Sequence, residues 1–506
     1  MNKLKETNWR DIDWVRSQEN VNKWQSRIYL ASKIGDIKEV RRCQHAVLGL
    51  LDSKLIAVRQ ITQDNKGRKT PGIDNVDSIP SNERIELARS LRFYTPGSPL
   101  RRIWIPKPGT HEKRPLSIPT IKDRCLQALF KTAIEPEWEA KFENNCYGFR
   151  RFSKGRSCHD AVVAVQGLLA KRENYILDAD ISKCFDLINH EYLLNKLGFK
   201  GKYRKQVKSW LKCGIIDRHV FGESNEGIPK KGGMISPLLA NIALDGMERF
   251  CRESIINIPD FRVRGDGRKI QTSQIHGDLL GIVRYADDFL LIHPHLDTIL
   301  FLEKELDKFL SPIFVGVKFS ERKTQITHSL NLSGFAQAKL KQESQPNFSD
   351  KPGFNFLSFY FRQYPTVHRS IKSLHGQKLG FRLLIIPTKA KQLEHQANLH
   401  RIILKEGKGL TQDDLISRLN PVIAGWSLYF GVSDASSMGI LKKMDYLTYL
   451  KLRRWAKRIY KGAGKGITVF RRIGVRNWVF STDKSTLVQH MDYSRPLNIK
   501  VKGASL

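Results

Sequence analysis

The segment GIVRYADDFLLIH (residues 281–293) constrains the fold more than any other stretch of the chain. Two apolar runs, each too short for a stable helix, flank two adjacent aspartates. Both runs can be buried with the acids left at water only if the chain reverses between them. The segment is therefore expected to be a β-hairpin with Ala286-Asp287 at its tip. A second apolar strand, YILDADI (residues 175–181), carries Asp180 near its end.

Helical spacing appears early, in Val21, Trp24, Ile28 and Ala31 and again in Val47, Leu50, Leu51, Leu55 and Val58, which predicts two helices over residues 20–60. A polar, basic loop follows between Gln60 and Asp77. RRIWIPKPGTHEKRPLSIPT (residues 101–120) reads as two short strands around a Pro/Gly turn, with Lys107 and Arg114 projecting. Helices are expected over 122–142, with Asp123 in the first turn, from His190, and through SPLLANIAL after the Gly232-Gly233 turn. His293 and His295 suggest a surface exit from the acidic hairpin. After Pro387 the chain reads as helical throughout: Leu419, Val422, Ile423, Trp426 and Phe430 form one apolar stripe, and Leu441, Met444, Leu452, Trp455 and Ile459 a second. Strands and helices interleave irregularly before that point, so the fold class is α+β. The expected domains are a helical extension over 1–64, a mixed domain over 65–365, an all-α domain over 380–478 and a short tail over 479–506.

Charge narrows the partners. The 506 residues hold 86 Lys+Arg against 50 Asp+Glu, a formal net charge of +36. Self-repulsion of that size opposes compaction unless a polyanion neutralises it, which points to nucleic acid. Seven scattered cysteines, none in a CxxC spacing, fit reduced thiols rather than a disulfide framework or a zinc site. The charged N-terminus is unlike a signal peptide, and no apolar stretch approaches the roughly 20 residues of a membrane span. The expected location is the cytoplasm or an organelle, with no membrane partner.

Asp180 at a strand end and Asp287-Asp288 at a hairpin tip are a candidate carboxylate set for two Mg²⁺ ions, the pair that phosphodiester formation uses. Taken singly, each acid is more often a solvated turn residue. The surrounding wording carries more weight. DADISKCFDLINH (178–190) and RYADDFLLI (284–292) resemble the two metal-binding motifs of reverse transcriptases. RQITQDNKGRKTPGIDN (59–75), IPKPGTHEKRPLSIPTIKDRCLQAL (105–129), YGFR (147–150), ISPLLANIAL (235–244) and ERKTQITH (321–328) then resemble, in order, successive blocks of the group II intron-encoded reverse transcriptase/maturase family.

The resemblance implies a right-hand polymerase fold, with fingers and palm over 65–365 and an all-α thumb or maturase domain over 380–478. It implies Asp180, Asp287, Asp288 and the carbonyl of Ile181 as ligands of two Mg²⁺ ions. Lys107 and Arg114 are then the triphosphate clamp, and Phe185 the aromatic that excludes a 2′-hydroxyl, which disfavours a viral RNA-dependent RNA polymerase. Lys323 is placed as a proton donor to the leaving pyrophosphate. The implied partners are a group II intron RNA, an RNA template with a DNA primer, and deoxynucleoside triphosphates; the oligomeric state is left open. RLNPVIAGWSLYF (418–430) and LRRWAKRIY (452–460) resemble the family's maturase domain, and the cations Lys442, Lys443, Lys451, Arg453, Arg454, Lys457 and Arg458 are its expected RNA contacts. Trp455, on the apolar stripe, is expected in the core. The C-terminal endonuclease that some members carry is not expected.

Three departures bear on activity. Lys230-Lys231 stands in a turn where the family has glutamine, Arg151–Lys154 lengthens the stretch after YGFR, and Ser358 replaces a glycine that lets backbone approach the primer. Two readings follow: an RNA-directed DNA polymerase that also helps its intron to splice and move, or a non-catalytic RNA-binding splicing maturase with a degenerate polymerase site. An intron-independent reverse transcriptase in defence or repair shares the aspartates but not the maturase-like wording.

Overall fold

The computed structural model describes all residues except 1–7, 95, 107–111, 151–155, 182, 219, 224–226, 229–232, 257–278, 317–323, 332–348, 350, 367–379, 461–468 and 496–506. Helices and sheets are mixed, so the fold is α+β. The chain divides into two compact units, Met1–Ser157 with Ala179–Thr324 and Cys158–Asp178 with Gln325–Leu506.

The first unit begins with three helices where the apolar spacing predicts two: α1 (Trp14–Lys33), α2 (Ile37–Gly49) and α3 (Leu51–Arg59). Asp13 and Asp36 cap α1 and α2 by accepting from the backbone N–H groups of Arg16 and Glu39. The break between these two helices falls at Gly35, whose φ of +79° suits glycine. After α4 (Arg84–Ser90), the long helix α5 (Ile121–Lys141) packs against α1, α2 and α3. Its Glu137 is fully buried and accepts from Arg41 Nη1 at 2.8 Å, Gln44 Nε2 at 2.6 Å and Lys141 Nζ at 2.6 Å. A buried carboxylate is tolerated because every partner is supplied, and removing one leaves a desolvated charge at a cost of about 3–5 kcal/mol. Arg124 of α5 donates to the carbonyls of Gly67 and Thr70 at 3.2 and 2.7 Å, so the basic loop after α3 is held to this helix.

β1 (Leu100–Pro106) and β2 (Lys113–Ile118) form the expected antiparallel hairpin. β3 (Tyr175–Asp180) is the expected strand. β4 (Ile215–Asp217) and β5 (Val220–Gly222) extend the first hairpin into a sheet ordered β2-β1-β4-β5. β6 (Gly281–Tyr285) and β7 (Asp288–His293) form the acidic hairpin, with Tyr285 opposite Asp288. His293 is not a surface residue as expected: it is fully buried, and its Nδ1 accepts from the backbone N–H of His295 at 3.1 Å. The apolar run simply continues one residue further into the core than its last leucine and isoleucine suggest.

In the second unit α6 (Cys158–Leu169) precedes the start of β3, whose Tyr175–Asp178 pair antiparallel with β8 (Gln325–His328). β9 (Phe354–Phe356), β10 (Phe359–Pro365) and β11 (Phe381–Pro387) form an antiparallel sheet. The chain after Pro387 is not helical throughout. Its three main helices end at Ile459, and β12 (Phe470–Ile473) and β13 (Arg476–Phe480) then form a hairpin, so the domain expected over 380–478 is not all-α. Gly474, at φ +57°, makes the reversal between the short strands FRRI and RNWVF, whose register shifts between Arg471 and Ile473, so neither strand shows a clean period of two. Trp455 is buried as expected, within a core that includes Leu415, Leu419, Ile423, Leu452 and Phe480, whereas Ile459 is exposed at the frayed end of its helix. All seven cysteines are free.

Candidate active site

β3 and β7 are neighbours in the strand order β6-β7-β3-β8, and Ala179 and Asp180 at the end of β3 belong to the same unit as the acidic hairpin. Asp287 sits in the two-residue turn and Asp288 opens β7. Asp180 and Asp287 are half-buried and Asp288 is exposed. Ala286, at φ +61°, takes the left-handed conformation that a two-residue hairpin loop demands, at some strain for a residue with a Cβ.

The turn rests on a frame of residues that carry no catalytic chemistry themselves. A Cβ placed on Gly148 would lie 2.4 Å from the backbone nitrogen of Ala286, so the YGFR block touches the hairpin backbone to backbone. Beside it, Tyr147 N–H donates to the Arg284 carbonyl and Arg284 N–H to that of Asn145, each at 2.8 Å. The guanidinium of Arg284, almost fully buried, donates from Nη1 to Asn241 Oδ1 at 3.3 Å and to the Ala286 carbonyl at 3.4 Å. Asn241, on the helix α7 (Ser236–Leu244) that carries SPLLANIAL, donates in turn to the Gly148 carbonyl at 2.6 Å. Three sequence blocks thus converge on one turn. At the end of α7, Lys196 donates to the carbonyls of Ala243 and Asp245 at 3.0 and 2.6 Å; burial lowers its ammonium to about 8, and raises the carboxyl of Asp245. Sequence alone does not single out Arg284, Asn241 or Lys196. A charged residue inside the apolar run GIVRY is the one available sign of the first.

Phe185 is half-buried on the short helix Cys184–Leu187, beside the end of β3. Its carbonyl accepts from Ile228 N–H at 2.6 Å, and the Ile188 carbonyl accepts from Gly227 N–H at 2.9 Å, so Gly227-Ile228 is tied to the backbone of this short helix. Gly227 has no room for a side chain, because its Cβ would lie 2.5 Å from the Asp186 carbonyl oxygen. Ile181 is buried, and its carbonyl already accepts from Cys184 N–H at 3.2 Å. Arg114 is exposed on β2 opposite Ile105. Lys107, Lys323, Lys230 and Lys231 lie outside the described residues, as do Arg151–Lys154. The donors offered near the hairpin are carboxylate oxygens, the type Mg²⁺ prefers. Among the described residues no group of three or more His, Cys, Asp or Glu side chains is arranged to hold a metal ion.

In the second unit the helix Ile440–Ile459 is two-faced. Leu441, Met444, Thr448, Leu452 and Trp455 are buried within an arc of roughly 80°, while Lys442, Lys443, Arg453, Arg454, Lys457 and Arg458 are exposed within one of roughly 160°. Tyr446, 60% exposed, lies among those cations. Lys451 does not join them: it is half-buried, bonded to Gln396 and to the Leu447 carbonyl, and its ammonium is lowered by burial and by Arg454. Ser358, where the family pattern has glycine, closes the hairpin between β9 and β10 together with Leu357, at φ +71° and +48°. No helix among the described residues is long and apolar enough to cross a membrane.

Comparison with known proteins matches residues 105–361 to the reverse transcriptase (RNA-dependent DNA polymerase) family, residues 9–91 to the N-terminal domain of reverse transcriptase, and residues 393–474 to the group II intron maturase-specific domain. The frame around the acidic hairpin is thus that of a reverse transcriptase domain. With a maturase-specific domain following it, the chain belongs to the group II intron reverse transcriptase/maturase family. It is 30% identical to protein YkfC of Escherichia coli over 261 residues, 47% of this chain and 67% of that protein. It is 29% identical to the group II intron-encoded protein LtrA of Lactococcus lactis over 316 residues, 52% of this chain, and spans about half (51%) of that protein's length. It is 28% identical to maturase-like protein 1 of Euglena gracilis over 299 residues, covering 56% and 62% of the two chains.

Proposed function

We propose that this protein is an RNA-directed DNA polymerase that binds its group II intron RNA and assists splicing and retrohoming. The observation that carries the reading is the placement of Asp287 and Asp288 at the turn of a buried hairpin whose strand β7 neighbours β3, the strand that ends in Asp180. In this reading the unit holding these aspartates supplies fingers and palm, and the helical region after Pro387 supplies the thumb. Asp180, Asp287 and Asp288 would hold two Mg²⁺ ions, with the Ile181 carbonyl offering its second lone pair. Bound there, the metal pair lowers the pKa of the attacking 3′-hydroxyl and neutralises charge on the triphosphate. The chain's own part is to fix the carboxylates on rigid backbone, to bind the triphosphate through Lys107 and Arg114, to exclude a 2′-hydroxyl with Phe185, and to protonate pyrophosphate through Lys323. The exposed cations of Ile440–Ile459 bind phosphates of the intron RNA, with Tyr446 available for stacking.

Primer extension on an RNA template, with Mg²⁺ present and deoxynucleotides supplied, tests the reading. Wild-type protein is expected to extend the primer and Asp287→Asn to lose at least about a thousandfold in rate, the scale on which removing essential electrostatic groups acts. Absence of extension by wild type across a range of salt concentrations would sink the enzymatic part. A second reading, a splicing maturase without catalysis, is favoured by two departures from the family pattern, Lys230-Lys231 and Ser358. It predicts that wild type extends nothing and that Asp287→Asn splices the intron as well as wild type does.

A further inference from the structure

The sheet β2-β1-β4-β5 has two faces with different equipment. Side chains alternate along β1, and cross-strand partners share a face, so Ile105 and its partner Arg114 lie on one side while Arg102 and Trp104 lie on the other. The second side holds a groove of about 680 Å³ whose lining includes Arg102, Trp104, Ile215, Asp217, Val220 and Gly222. That volume is in the range of small-ligand sites.

Trp104 is the dominant feature of the groove. Its Nε1–H donates to Asp217 Oδ2 at 3.0 Å, from β1 across to β4, which satisfies the polar edge of the indole and fixes its orientation. The residue is nonetheless 42% exposed, so what it offers to solvent is ring surface. Arg102 lies alongside, its Cζ 5.8 Å from the ring centroid. Val220 is 70% exposed, and a Cβ on Gly222 would meet nothing nearer than the Ile215 carbonyl oxygen at 3.8 Å, so the groove is open beside the ring.

Mixed charge around the groove is poorly suited to cradling a phosphate, since Asp217 and Glu223 line it together with Arg102 and Arg218. A held indole face beside an arginine, with a carboxylate at its edge, suits a flat heteroaromatic that carries N–H donors. On a chain with a formal net charge of +36, polyanions are also the macromolecules that long-range attraction concentrates at its surface. We propose that this groove takes one unpaired nucleobase of an RNA strand, stacked on Trp104, on the face of the sheet opposite Arg114. The inference rests on the chain acting on RNA, as proposed above, and adds a binding point on the far side of the sheet from Arg114.

The test is equilibrium binding of an unstructured 12-nucleotide RNA, labelled with a fluorophore, to the full chain and to Trp104→Ala, Trp104→Phe and Gly222→Leu. Removing one stacked base is expected to weaken binding roughly 5- to 150-fold in Trp104→Ala and, by filling the groove, in Gly222→Leu. Trp104→Phe, which keeps an aromatic face, should retain most of the affinity and shows that the fold tolerates change at the site. The weakening should persist when salt is raised, because stacking releases no counterions. Unchanged binding in both Trp104→Ala and Gly222→Leu overturns the proposal, as does a wild-type dimer that Trp104→Ala dissociates, since the occupant is then a second copy. Primer extension measured in parallel separates the two readings. Extension without groove-dependent binding defeats the groove alone, and groove-dependent binding without extension defeats the polymerase alone.

Discussion

The acidic hairpin and the basic helix Ile440–Ile459 both face a nucleic acid in the proposed function, but they are built on opposite plans. Around Ala286 almost every neighbouring group is committed: Gly148 by close approach, Asn241 and Arg284 by buried hydrogen bonds, and the 145–147 backbone by a bridge to β6. On the basic helix the six exposed cations occupy a broad arc with no such frame among the described residues. The difference matches the chemistry that the proposed function asks of each. Metal-assisted transfer fails when a ligand moves by an ångström, whereas counterion release depends on how many cations reach the phosphates and little on which. On that proposal, precision is written in a frame behind the metal ligands, and affinity in residues that are interchangeable.

The sharpest way to break this contrast is Gly148→Val. Its side chain would meet the Ala286 backbone, which has no flexible end to give way, so the turn must shift. Primer extension is expected to fall at least about a hundredfold, the scale of ångström misplacement, while affinity for intron RNA is kept. An equal fall in both would mean that the frame supports the whole fold rather than the turn.

Acid should act mainly on the other unit. His395 is held down to about 3 by burial, with His490 and Lys451 adding repulsion, and its Nε2 lies 2.8 Å from His490 Nε2. His328 is held down to about 4 by burial, and its Nδ1 accepts from the backbone N–H groups of Leu330 and Asn331. Both fold as neutral rings, so the unfolded chain binds more protons below about pH 6.5 and stability falls as pH drops toward those folded values. At pH 5 the destabilisation is about 2 kcal/mol per histidine. Hydrogen exchange at pH 7 and pH 5, corrected for intrinsic rates, should show opening concentrated in the second unit, around β8 (Gln325–His328) and residues 381–459; uniform opening would contradict it.

Single cations should matter less and in proportion. Lys457→Ala or Arg453→Ala is expected to weaken intron binding about equally at all sequences, and to reduce the salt slope by about 1 per phosphate no longer neutralised. Lys451→Ala should leave that slope unchanged, because its ammonium is bonded within the protein. A slope change for Lys451 equal to that of Lys457 would remove the distinction.

The same contrast explains what the sequence made legible. The hairpin was readable because burying two apolar runs around two acids leaves one solution, and the family blocks came in order. What Arg284 and Asn241 do was not readable, since hydrogen bonds that span 43 and 93 residues leave no periodic trace. In the cationic C-terminal region, β12 and β13 are short and their pairing is broken by a register shift, so no period of two marks them, and helical spacing alone left Ile459 on the buried stripe. Lys451 looked like its neighbours because its partner Gln396 lies on another helix.

The smallest effect is expected where the sequence departs from its family. Leu357 and Ser358 are the two central residues of the β9–β10 hairpin and both are left-handed, the geometry that favours glycine or asparagine. Ser358→Gly removes Cβ strain of about 1 kcal/mol, partly offset by the greater freedom of glycine in the unfolded chain. A net gain of about 0.5 kcal/mol in denaturant unfolding is expected from that balance. The Ser358 carbonyl accepts from Thr388 N–H at 3.0 Å and that of Leu357 from Tyr429 Oη at 2.9 Å, so the turn is already held from two sides and the substitution should not shift it. If extension rises with stability, the serine side chain obstructs the primer as the family pattern implies. If stability alone rises, the serine is a strained substitute in a turn whose shape is intact, and the non-catalytic reading loses one of its two supports.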